Sequence, residues 1–351
     1  MTKNKVAILI DFLEGRGGGE KLVSFLAKEY QADVYAGYAN WDNILPIFKY
    51  LKVKVSDGIT NIPLLKQEQL IKWFSELDLS QYSTVICLGY YSIYANHKNK
   101  IWYSYGLSTL FYKKAKEMVI RESLIRKVGS KLWKWRIKGY DKKTVKDIKW
   151  VVAISRYSKR IIDDYYGIDC AIINPLVDTR QFCNKPAKDY YLLVARFEPG
   201  KRVELAIEAF KKMPDKKLYI EGSGTQEVYL KYLADGATNI TFLGRVSSEE
   251  LSRLYSECIA LVITAFHDEW SMIMVETLAS GKPCIAVNQG AFPEIIDKDS
   301  GILVDDTVEG IIKGVKKMTP EIAIKMKDAC IKRAKEFDIH SFYKKWDGLI
   351  E

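Results

Sequence analysis

Two pairs of charged residues have the spacing to bind a polyanionic ligand that also carries hydroxyl groups. Arg196 and Lys201 lie where a predicted strand leads into a helix, so both could face one anion across the turn. Asp268 follows another predicted strand and Glu276 lies two turns into the next helix, so these acids could hold two hydroxyl-bearing parts of one ligand. On spacing alone, solvated cations and an acidic first helical turn explain the same residues at least as well.

A glycine-rich segment near the start has the composition of a loop that brings backbone amides close to a ligand. Gly15-Arg16-Gly17-Gly18-Gly19 follows the first predicted strand and opens a helix, where free amides favour a phosphate or an oxygen-rich group. The spacing is not that of the dinucleotide-binding pattern Gly-x-Gly-x-x-Gly, and a plain tight turn explains it equally well. None of the three motifs decides the function by itself.

Alternating strand and helix patterns predict the elements that position these motifs, and they are typical of parallel sheets covered by helices. The predicted strands are Val6–Ile10, Asp33–Gly37, Thr84–Leu88, Trp150–Ile154, Tyr191–Ala195, Lys217–Ile220, Ile240–Phe242, Ala260–Thr264 and Cys284–Val287. The predicted helices include Glu20–Tyr30, Gln67–Glu76, Val203–Lys211, Ser248–Ser256 and Ser271–Ser280. With a proline-containing linker at Asn174–Asp189, we expect two doubly wound α/β domains that face a central cleft between the carboxyl ends of their strands.

Length and composition agree with two globular domains. The chain has 351 residues, of which 48% are hydrophobic and 28% charged, which excludes a disordered or fibrous protein. The longest apolar run, Cys258–Phe266, is far shorter than the ~18 residues of a membrane-spanning helix. The apolar stretch Val6–Ile10 is too short for a signal peptide, so we expect no export. The six scattered cysteines predict buried thiols in a reducing compartment.

The net charge of +10 is concentrated in one segment. Tyr112–Lys149 contains 14 Lys and Arg against 4 Asp and Glu, so the rest of the chain is neutral. Met118, Ile125 and Leu132 recur every seven residues among cationic side chains, which predicts an amphipathic basic helix. Docking on an anionic membrane and packing of the apolar stripe on the first domain are both open. Charge confined to one segment argues against a general nucleic-acid binder.

The joint order of these motifs resembles glycosyltransferase family 4, whose members are retaining enzymes with two Rossmann-like domains in the GT-B architecture. The resemblance rests on the glycine loop, on Arg196-x4-Lys201, and on the acid-x7-Glu motif followed by Ala279-Ser280-Gly281-Lys282-Pro283. It covers most of the chain and is closest to the branch that contains many mannosyltransferases. It implies an acceptor-side domain over residues 1–180, a nucleotide-sugar-binding domain over 188–336, and a helix at 337–351 that crosses back to the first domain.

The resemblance also implies a role for each motif. Arg196 and Lys201 would hold the diphosphate of a sugar nucleotide, Glu276 would bind the ribose hydroxyls and Asp268 the transferred sugar; these four residues are the catalytic set. Further donor-binding residues would be Gly17 and Gly18 in the first domain, Gly244, Arg245 and Val246 beside the base, and Trp270, Ser271 and Met272 beside the sugar. Tyr105 takes a position where family members often carry histidine, and is the candidate on the acceptor side.

We therefore expect a hexosyltransferase that moves mannose or glucose from a GDP- or UDP-sugar to a glycan or lipid-linked acceptor, with no cofactor. Cations that neutralise the diphosphate make a metal unnecessary, and the DxD-like Asp297-Lys298-Asp299 lies in a predicted turn. The alternatives are a sugar-nucleotide epimerase or hydrolase of the same fold, or a non-catalytic nucleotide-sugar-binding protein. The expected location is cytoplasmic, with attachment to the inner face of the cell membrane through residues 112–149 left open, and no nucleic-acid partner is expected.

Overall fold

The computed structural model of the protein describes residues 5–15, 17–60, 62–105 and 141–350. The chain divides into two compact units, unit 1 with Met1–Asn174 and Tyr343–Glu351, and unit 2 with Pro175–Phe342. In the described parts of the chain, no helix combines the length and the apolar character needed to cross a membrane. Most of the predicted basic segment Tyr112–Lys149 lies outside the described residues. The part of the segment that is described begins at position 141, and residues 141–146 are helical.

Unit 1 is built on a parallel sheet of seven strands. They are β1 (Val6–Leu13), β2 (Asp33–Ala39), β3 (Val53–Val55), β4 (Thr84–Cys87), β5 (Lys100–Ser104), β6 (Trp150–Ala153) and β7 (Ala171–Ile172). Their spatial order is β3-β2-β1-β4-β5-β6-β7, so the chain winds outward from β1 on one side and from β4 on the other. The helices described are α1 (Gly18–Glu29), α2 (Pro63–Ser75) and α3 (Arg156–Tyr166), with short 3-10 helices at Pro46–Tyr50 and Ser92–Tyr94.

Unit 2 repeats this architecture on a parallel sheet of six strands. They are β8 (Tyr191–Val194), β9 (Leu218–Glu221), β10 (Ile240–Gly244), β11 (Leu261–Ile263), β12 (Cys284–Val287) and β13 (Gly301–Val304), in the spatial order β10-β9-β8-β11-β12-β13. The helices are α4 (Val203–Lys211), α5 (Glu227–Leu233), α6 (Ser248–Glu257), α7 (Met272–Ala279), α8 (Phe292–Ile295), α9 (Val308–Lys317) and α10 (Pro320–Lys335), and α11 (Ile339–Asp347) begins in this unit. Short 3-10 helices lie at Thr179–Gln181 and Pro199–Lys201.

The sequence pattern explains the layered packing. Strands such as β4 and β12 are buried along their whole length, as expected for parallel sheets with helices on both faces. Helix α4 buries Val203, Ala206, Ile207 and Phe210 on one face, which is the spacing of an amphipathic helix. The prediction of two Rossmann-like doubly wound α/β domains is confirmed.

The residues after position 342 belong to unit 1, and Trp346 contributes to its core. Trp346 is fully buried, and its ring lies 5.3 Å from that of Tyr103. The Tyr343 hydroxyl donates to the Phe25 carbonyl at 3.2 Å. Unit 1 is therefore assembled from segments on both sides of unit 2 in the sequence.

The cysteine prediction needs one correction. All six cysteines are free thiols, and five of them are buried, but Cys183 is exposed. It lies in the irregular stretch that leads into β8, where no strand or helix covers it.

Candidate functional site

The sheet of unit 2 has a switch point between β8 and β11. From β8 the chain moves outward to β9 and β10, and it then returns to β11 and moves outward in the other direction. Leu192 of β8 pairs with Leu261 of β11 in parallel, so the segments that follow both strands leave from the same edge. Doubly wound sheets bind ligands in the crevice at this point, because neighbouring connections diverge there.

Lys201 and Asp268 meet at this switch point. The Lys201 ammonium donates to the Asp268 carboxylate at 2.6 Å, although the two residues lie 67 positions apart in the sequence. The backbones of the two segments are also joined, because the Phe266 amide donates to the Gly200 carbonyl at 2.9 Å. The side chains of the pair keep 29% and 19% of their exposure, so a ligand can reach both charges.

A glycine after β12 fixes the backbone of Asp268. The Ala291 amide donates to the Asp268 carbonyl at 2.9 Å. Gly290 has a φ of +56°, and a Cβ atom there would lie 2.8 Å from the Asp268 nitrogen. Only glycine combines this left-handed conformation with so close an approach, so the segment after β12 packs directly on Asp268.

Glu269 adds a second carboxyl group beside the ion pair. Burial and, to a smaller extent, the neighbouring Asp268 charge raise the pKa of Glu269 to about 7, while Lys201 acts in the opposite direction. One ammonium group therefore lies near two carboxyl groups, and near neutral pH Glu269 binds a proton part of the time. Sequence reasoning gave Glu269 no role.

Glu276 lies in the interior of unit 2. It is 4% exposed on α7, and one of its carboxylate oxygens accepts a hydrogen bond from the Tyr255 hydroxyl at 3.0 Å. Burial and the Glu276 charge raise the pKa of Tyr255 well above its usual value, so Tyr255 stays a hydrogen-bond donor. An oriented, buried carboxylate is suited to accept hydrogen bonds from ligand hydroxyl groups.

Trp270, Ser271 and Met272 form the entry to α7. The Trp270 ring is buried and packs edge-on against Phe337 at 5.1 Å, and its indole nitrogen has no hydrogen-bond partner among the described residues. Ser271 occupies the N-cap position without a side-chain capping bond, and Met272 is the first helical residue. The first backbone amides of α7 therefore lack a side-chain cap.

The structure holds the backbone of Arg196 but leaves its side chain exposed. The Ala195 amide donates to the Glu221 carbonyl at 3.1 Å, and the Phe197 amide donates to the Ser223 carbonyl at 2.9 Å. The two neighbours of Arg196 are thus bound to the last residue of β9 and to the turn that follows it. Its guanidinium forms no ion pair within the described ranges, and no contact joins it to Lys201 or Asp268 there.

The turn after β9, Gly222-Ser223-Gly224, packs on the segment around Arg196, and sequence reasoning missed it. A Cβ atom at Gly222 would overlap the Ala195 carbonyl, and one at Gly224 would lie 2.6 Å from the Phe197 carbonyl oxygen. Two glycines directly after a predicted strand were the available signal, since isolated glycines at strand ends mark close backbone approaches.

The predicted base-side residues contact this same turn. The Gly222 amide donates to the Gly244 carbonyl at 2.9 Å, and the Val246 amide lies 3.3 Å from a Glu221 carboxylate oxygen. Burial raises the pKa of Glu221, and Arg245 opposes this shift. The sheet edge formed by the turn and by the segment around Arg196 therefore extends to Gly244, Arg245 and Val246.

In unit 1, the structure brings Tyr105 to the glycine loop. A Cβ atom at Gly19 would lie 3.6 Å from the Tyr105 hydroxyl oxygen, which is buried and has no hydrogen-bond partner among the described residues. Burial raises the pKa of Tyr105, so this hydroxyl does not ionise near neutral pH. Gly17 is the N-cap of α1, and Gly18 is its first residue.

The glycine loop holds a carboxylate of the protein itself. The Gly15 amide donates to Glu20 at 3.0 Å, and a Cβ atom at Gly17 would lie 3.2 Å from the other Glu20 oxygen. One amide of the loop therefore binds an anionic group, which Glu20 provides in this structure.

Residues 178–337 match the family of glycosyl transferases group 1. This match covers almost all of unit 2, including the switch point. An uncharacterized glycosyltransferase of Methanocaldococcus jannaschii is 27% identical over 157 residues, which are 44% of this chain and 45% of that protein. A phosphatidyl-myo-inositol mannosyltransferase of Mycolicibacterium smegmatis is 27% identical over 177 residues, 46% of this chain and 45% of the relative. These matches span less than half the length of either relative.

The Anabaena protein HepE, solved in complex with UDP and glucose, has the same fold. It superposes with a TM-score of 0.72 over 98% of both chains, at 14% sequence identity. At this identity the similarity concerns the fold alone. The segment that matches the group 1 family, residues 178–337, includes both Lys201 and Asp268.

Proposed function

We propose that this chain is a retaining glycosyltransferase that moves a hexose, mannose or glucose, from a nucleoside-diphosphate sugar to a glycan or lipid-linked acceptor. The observation that carries the proposal is the Lys201–Asp268 pair, which lies at the switch point of the unit that matches the glycosyl transferases group 1 family. A cation beside a carboxylate can bind a ligand in which a diphosphate is joined to a sugar. Lys201 binds the first of these groups and Asp268 the second.

The diphosphate is the leaving group, and the cations stabilise it. Breaking the bond between the sugar and the diphosphate builds negative charge on the leaving oxygen. Lys201, already oriented by Asp268 and by its backbone bonds, neutralises this charge where it develops. The exposed side chain of Arg196, on a backbone held by the turn after β9, supplies the second cation. When the diphosphate takes over the ammonium, the Asp268 carboxylate becomes available to the sugar hydroxyls.

The other residues of the site make the remaining contacts with the donor. Glu276, oriented by Tyr255, accepts hydrogen bonds from the ribose hydroxyls. The uncapped first turn of α7, with Trp270, Ser271 and Met272, faces the sugar. Gly244, Arg245 and Val246 border the base. In unit 1, Gly17 and Gly18 contact the donor, and Tyr105 donates a hydrogen bond on the acceptor side.

The proposed reaction needs neither a protein nucleophile nor a metal ion. The departing diphosphate oxygen accepts the proton of the incoming hydroxyl group, so the same face of the sugar is used and its configuration is retained. The Lys and Arg side chains take the place of a divalent cation at the diphosphate. Asp297 of the DxD-like pattern accepts hydrogen bonds from the Ser300 hydroxyl and the Asp299 amide at 2.7 and 3.0 Å, so it closes its own turn.

The experiment that tests this proposal is a thermal-shift panel of GDP-, UDP- and ADP-sugars, followed by turnover measurements with the stabilising donor. A donor at 100 times its Kd stabilises the folded protein by about 2.7 kcal/mol, which raises the melting temperature measurably. We expect one nucleotide to stabilise, and Glu276→Ala to abolish this stabilisation and the transfer. Chelation of divalent cations should leave turnover unchanged.

Three results would contradict the proposal in different ways. No stabilisation by any nucleotide sugar would exclude a donor site. Donor binding without turnover in acceptor extracts would favour a non-catalytic binding protein. Rapid formation of free sugar or of an epimer, without acceptor, would favour a hydrolase or epimerase.

A further inference from the structure

Three buried charged side chains hold one short segment of unit 1, the tyrosine segment Gly89–Ala95. It follows β4 and contains the 3-10 helix Ser92–Tyr94. The three charges are Asp11, Lys100 and Asp141, each less than 9% exposed. None of them belongs to the motifs that predicted the function.

Asp11 binds the amino end of the tyrosine segment. One carboxylate oxygen accepts from the amides of Tyr90 and Tyr91 at 2.6 and 2.9 Å, and the other accepts from the Ser92 amide at 2.9 Å. A Cβ atom at Gly89 would overlap this carboxylate, so only glycine fits there. Burial raises the pKa of Asp11 to about 6, although the three amides oppose the shift.

Lys100 binds the other end. Its ammonium donates to the carbonyls of Ile93 and Ala95, both at 2.9 Å, and burial lowers its pKa. The carboxylate thus lies at the amino end of the short helix and the ammonium at its carboxyl end. This order satisfies the free amides and carbonyls of the helix and complements its dipole.

Asp141 holds the tyrosine side chains. It accepts hydrogen bonds from the hydroxyls of Tyr90 at 2.6 Å and Tyr166 at 3.0 Å, and the Tyr94 hydroxyl lies 3.5 Å from it. Tyr90 is therefore bound at its amide by Asp11 and at its hydroxyl by Asp141. The Tyr90 ring also contacts the Tyr91 ring edge-on at 5.5 Å.

This arrangement is costly for a simple connection between two strands. Burying a charged group costs several kcal/mol before its partners compensate, and loops of similar length form without any such group. What the three charges achieve is a fixed position for Gly89 and Tyr90. Both are only partly buried, and they lie at the carboxyl end of β4, beside β1, which is the switch point of the unit 1 sheet.

We propose that the tyrosine segment is a preformed wall for a sugar ring of the acceptor, with Tyr90 as the contact and Asp11 as a positioning residue. This inference rests on the proposed function. The Tyr90 ring, whose hydroxyl is already bound, offers apolar surface to the C–H groups of a pyranose, as in other ligand sites with aromatic walls and few polar groups. Because Asp11 and Asp141 are satisfied by protein donors, the wall suits an uncharged sugar. A wall fixed before binding lowers the ordering cost of association.

The test uses methyl α-D-mannopyranoside and methyl α-D-glucopyranoside as acceptor probes. Their binding to the full chain is titrated by NMR, and the affinities for UDP and GDP are measured by calorimetry on the same preparations. Tyr90→Ala removes the ring and should weaken glycoside binding at least tenfold. Tyr90→Phe keeps the ring and should change it less than threefold. Asp11→Asn keeps the shape but sets an NH2 group against backbone amides, and should weaken glycoside binding at least fivefold.

All three variants should bind the nucleotides within twofold of the wild type. A wild type that binds neither glycoside, or a Tyr90→Ala variant that binds them as the wild type does, would overturn the inference. A parallel loss of nucleotide affinity in Asp11→Asn would show a general structural effect and would equally overturn the positioning role. If Asp11→Asn does not fold, the contrast between Tyr90→Ala and Tyr90→Phe decides. Failure of the wild type to bind any nucleotide would instead contradict the proposed function, and the glycoside titrations would still be readable.

Discussion

The two sheets of this protein use charge at their switch points in opposite ways. In unit 2, Lys201 and Asp268 remain partly exposed and satisfy mainly each other, so an incoming ligand can take over either of them. In unit 1, Asp11 is buried, and its carboxylate oxygens accept hydrogen bonds from three backbone amides. The same topology thus provides an ionic site in one unit and a rigid neutral surface in the other. This difference is what the proposed division between a charged donor and an uncharged acceptor requires.

The largest effect should follow from removing the cation of the Lys201–Asp268 pair in unit 2. Lys201→Ala should lower turnover about 10²–10³-fold, which is the usual loss when one oriented group that stabilises the leaving charge is deleted. Its fold should persist, because the ion pair is partly exposed and contributes only about 1 kcal/mol. Nucleotide release and circular dichroism measure the two effects.

Lys325→Ala is the matched control for this prediction. Lys325 is an exposed lysine on α10 of the same unit, and its removal should leave turnover unchanged. A Lys201→Ala variant that keeps more than a tenth of the wild-type rate would contradict the comparison of the two units.

In unit 1, removing a buried cation should change stability rather than donor binding. Lys100→Met keeps the length of the side chain but leaves the carbonyls of Ile93 and Ala95 without a donor. We expect the free energy of unfolding to fall by about 1–3 kcal/mol, which is the cost of unsatisfied buried polar groups. Denaturant unfolding measures this change. An unaltered midpoint, or a tenfold loss of nucleotide affinity, would show that the charges of unit 1 act differently from what the comparison requires.

The smallest effect concerns the pH dependence of Glu269. In the folded state its pKa is raised to about 7 from a usual value of 4.5, so the folded protein binds more protons than the unfolded chain between these values. Stability that depends on this group is therefore present at low pH and is lost as pH rises through this window. The difference in unfolding free energy between wild type and Glu269→Gln should fall by about 1–2 kcal/mol from pH 6 to pH 8.

Denaturant unfolding at four pH values across this range measures the difference. The titration of Asp11 falls in the same window, but it is common to both proteins and cancels. A constant difference at all four values would show that Glu269 does not carry the raised pKa.

Much of the fold follows from local pattern, and the misses have physical causes. The bounds of α4 and β12 agree with the predicted Val203–Lys211 and Cys284–Val287, because apolar spacing and burial coincide there. Strand β5 escaped prediction because it begins with Lys100 and ends with Ser104, although all five of its residues are buried. Its lysine is tolerated because the carbonyls of Ile93 and Ala95, in the turn before the strand, accept hydrogen bonds from the ammonium, and the apolar pattern of a strand does not show this.

The candidate site shows the same limit. Motif order selected Lys201 and Asp268, and the structure brings them together. Sequence could not show that Glu276 is buried against Tyr255, because that contact joins two helices. The predicted first strand ends at Ile10, directly before Asp11, whereas β1 continues through Asp11 to Leu13. The importance of Asp11 depends on amides about 80 residues away, which only the assembled sheet brings within reach.

The burial of Trp346 in unit 1 has a consequence for the order of events during synthesis. Unit 2 is a continuous stretch of chain, and every residue of its core is available once position 342 has been made. The first 174 residues emerge earlier but lack the indole that fills the space beside Tyr103. We therefore expect unit 1 to finish folding after unit 2, although most of unit 1 is translated first.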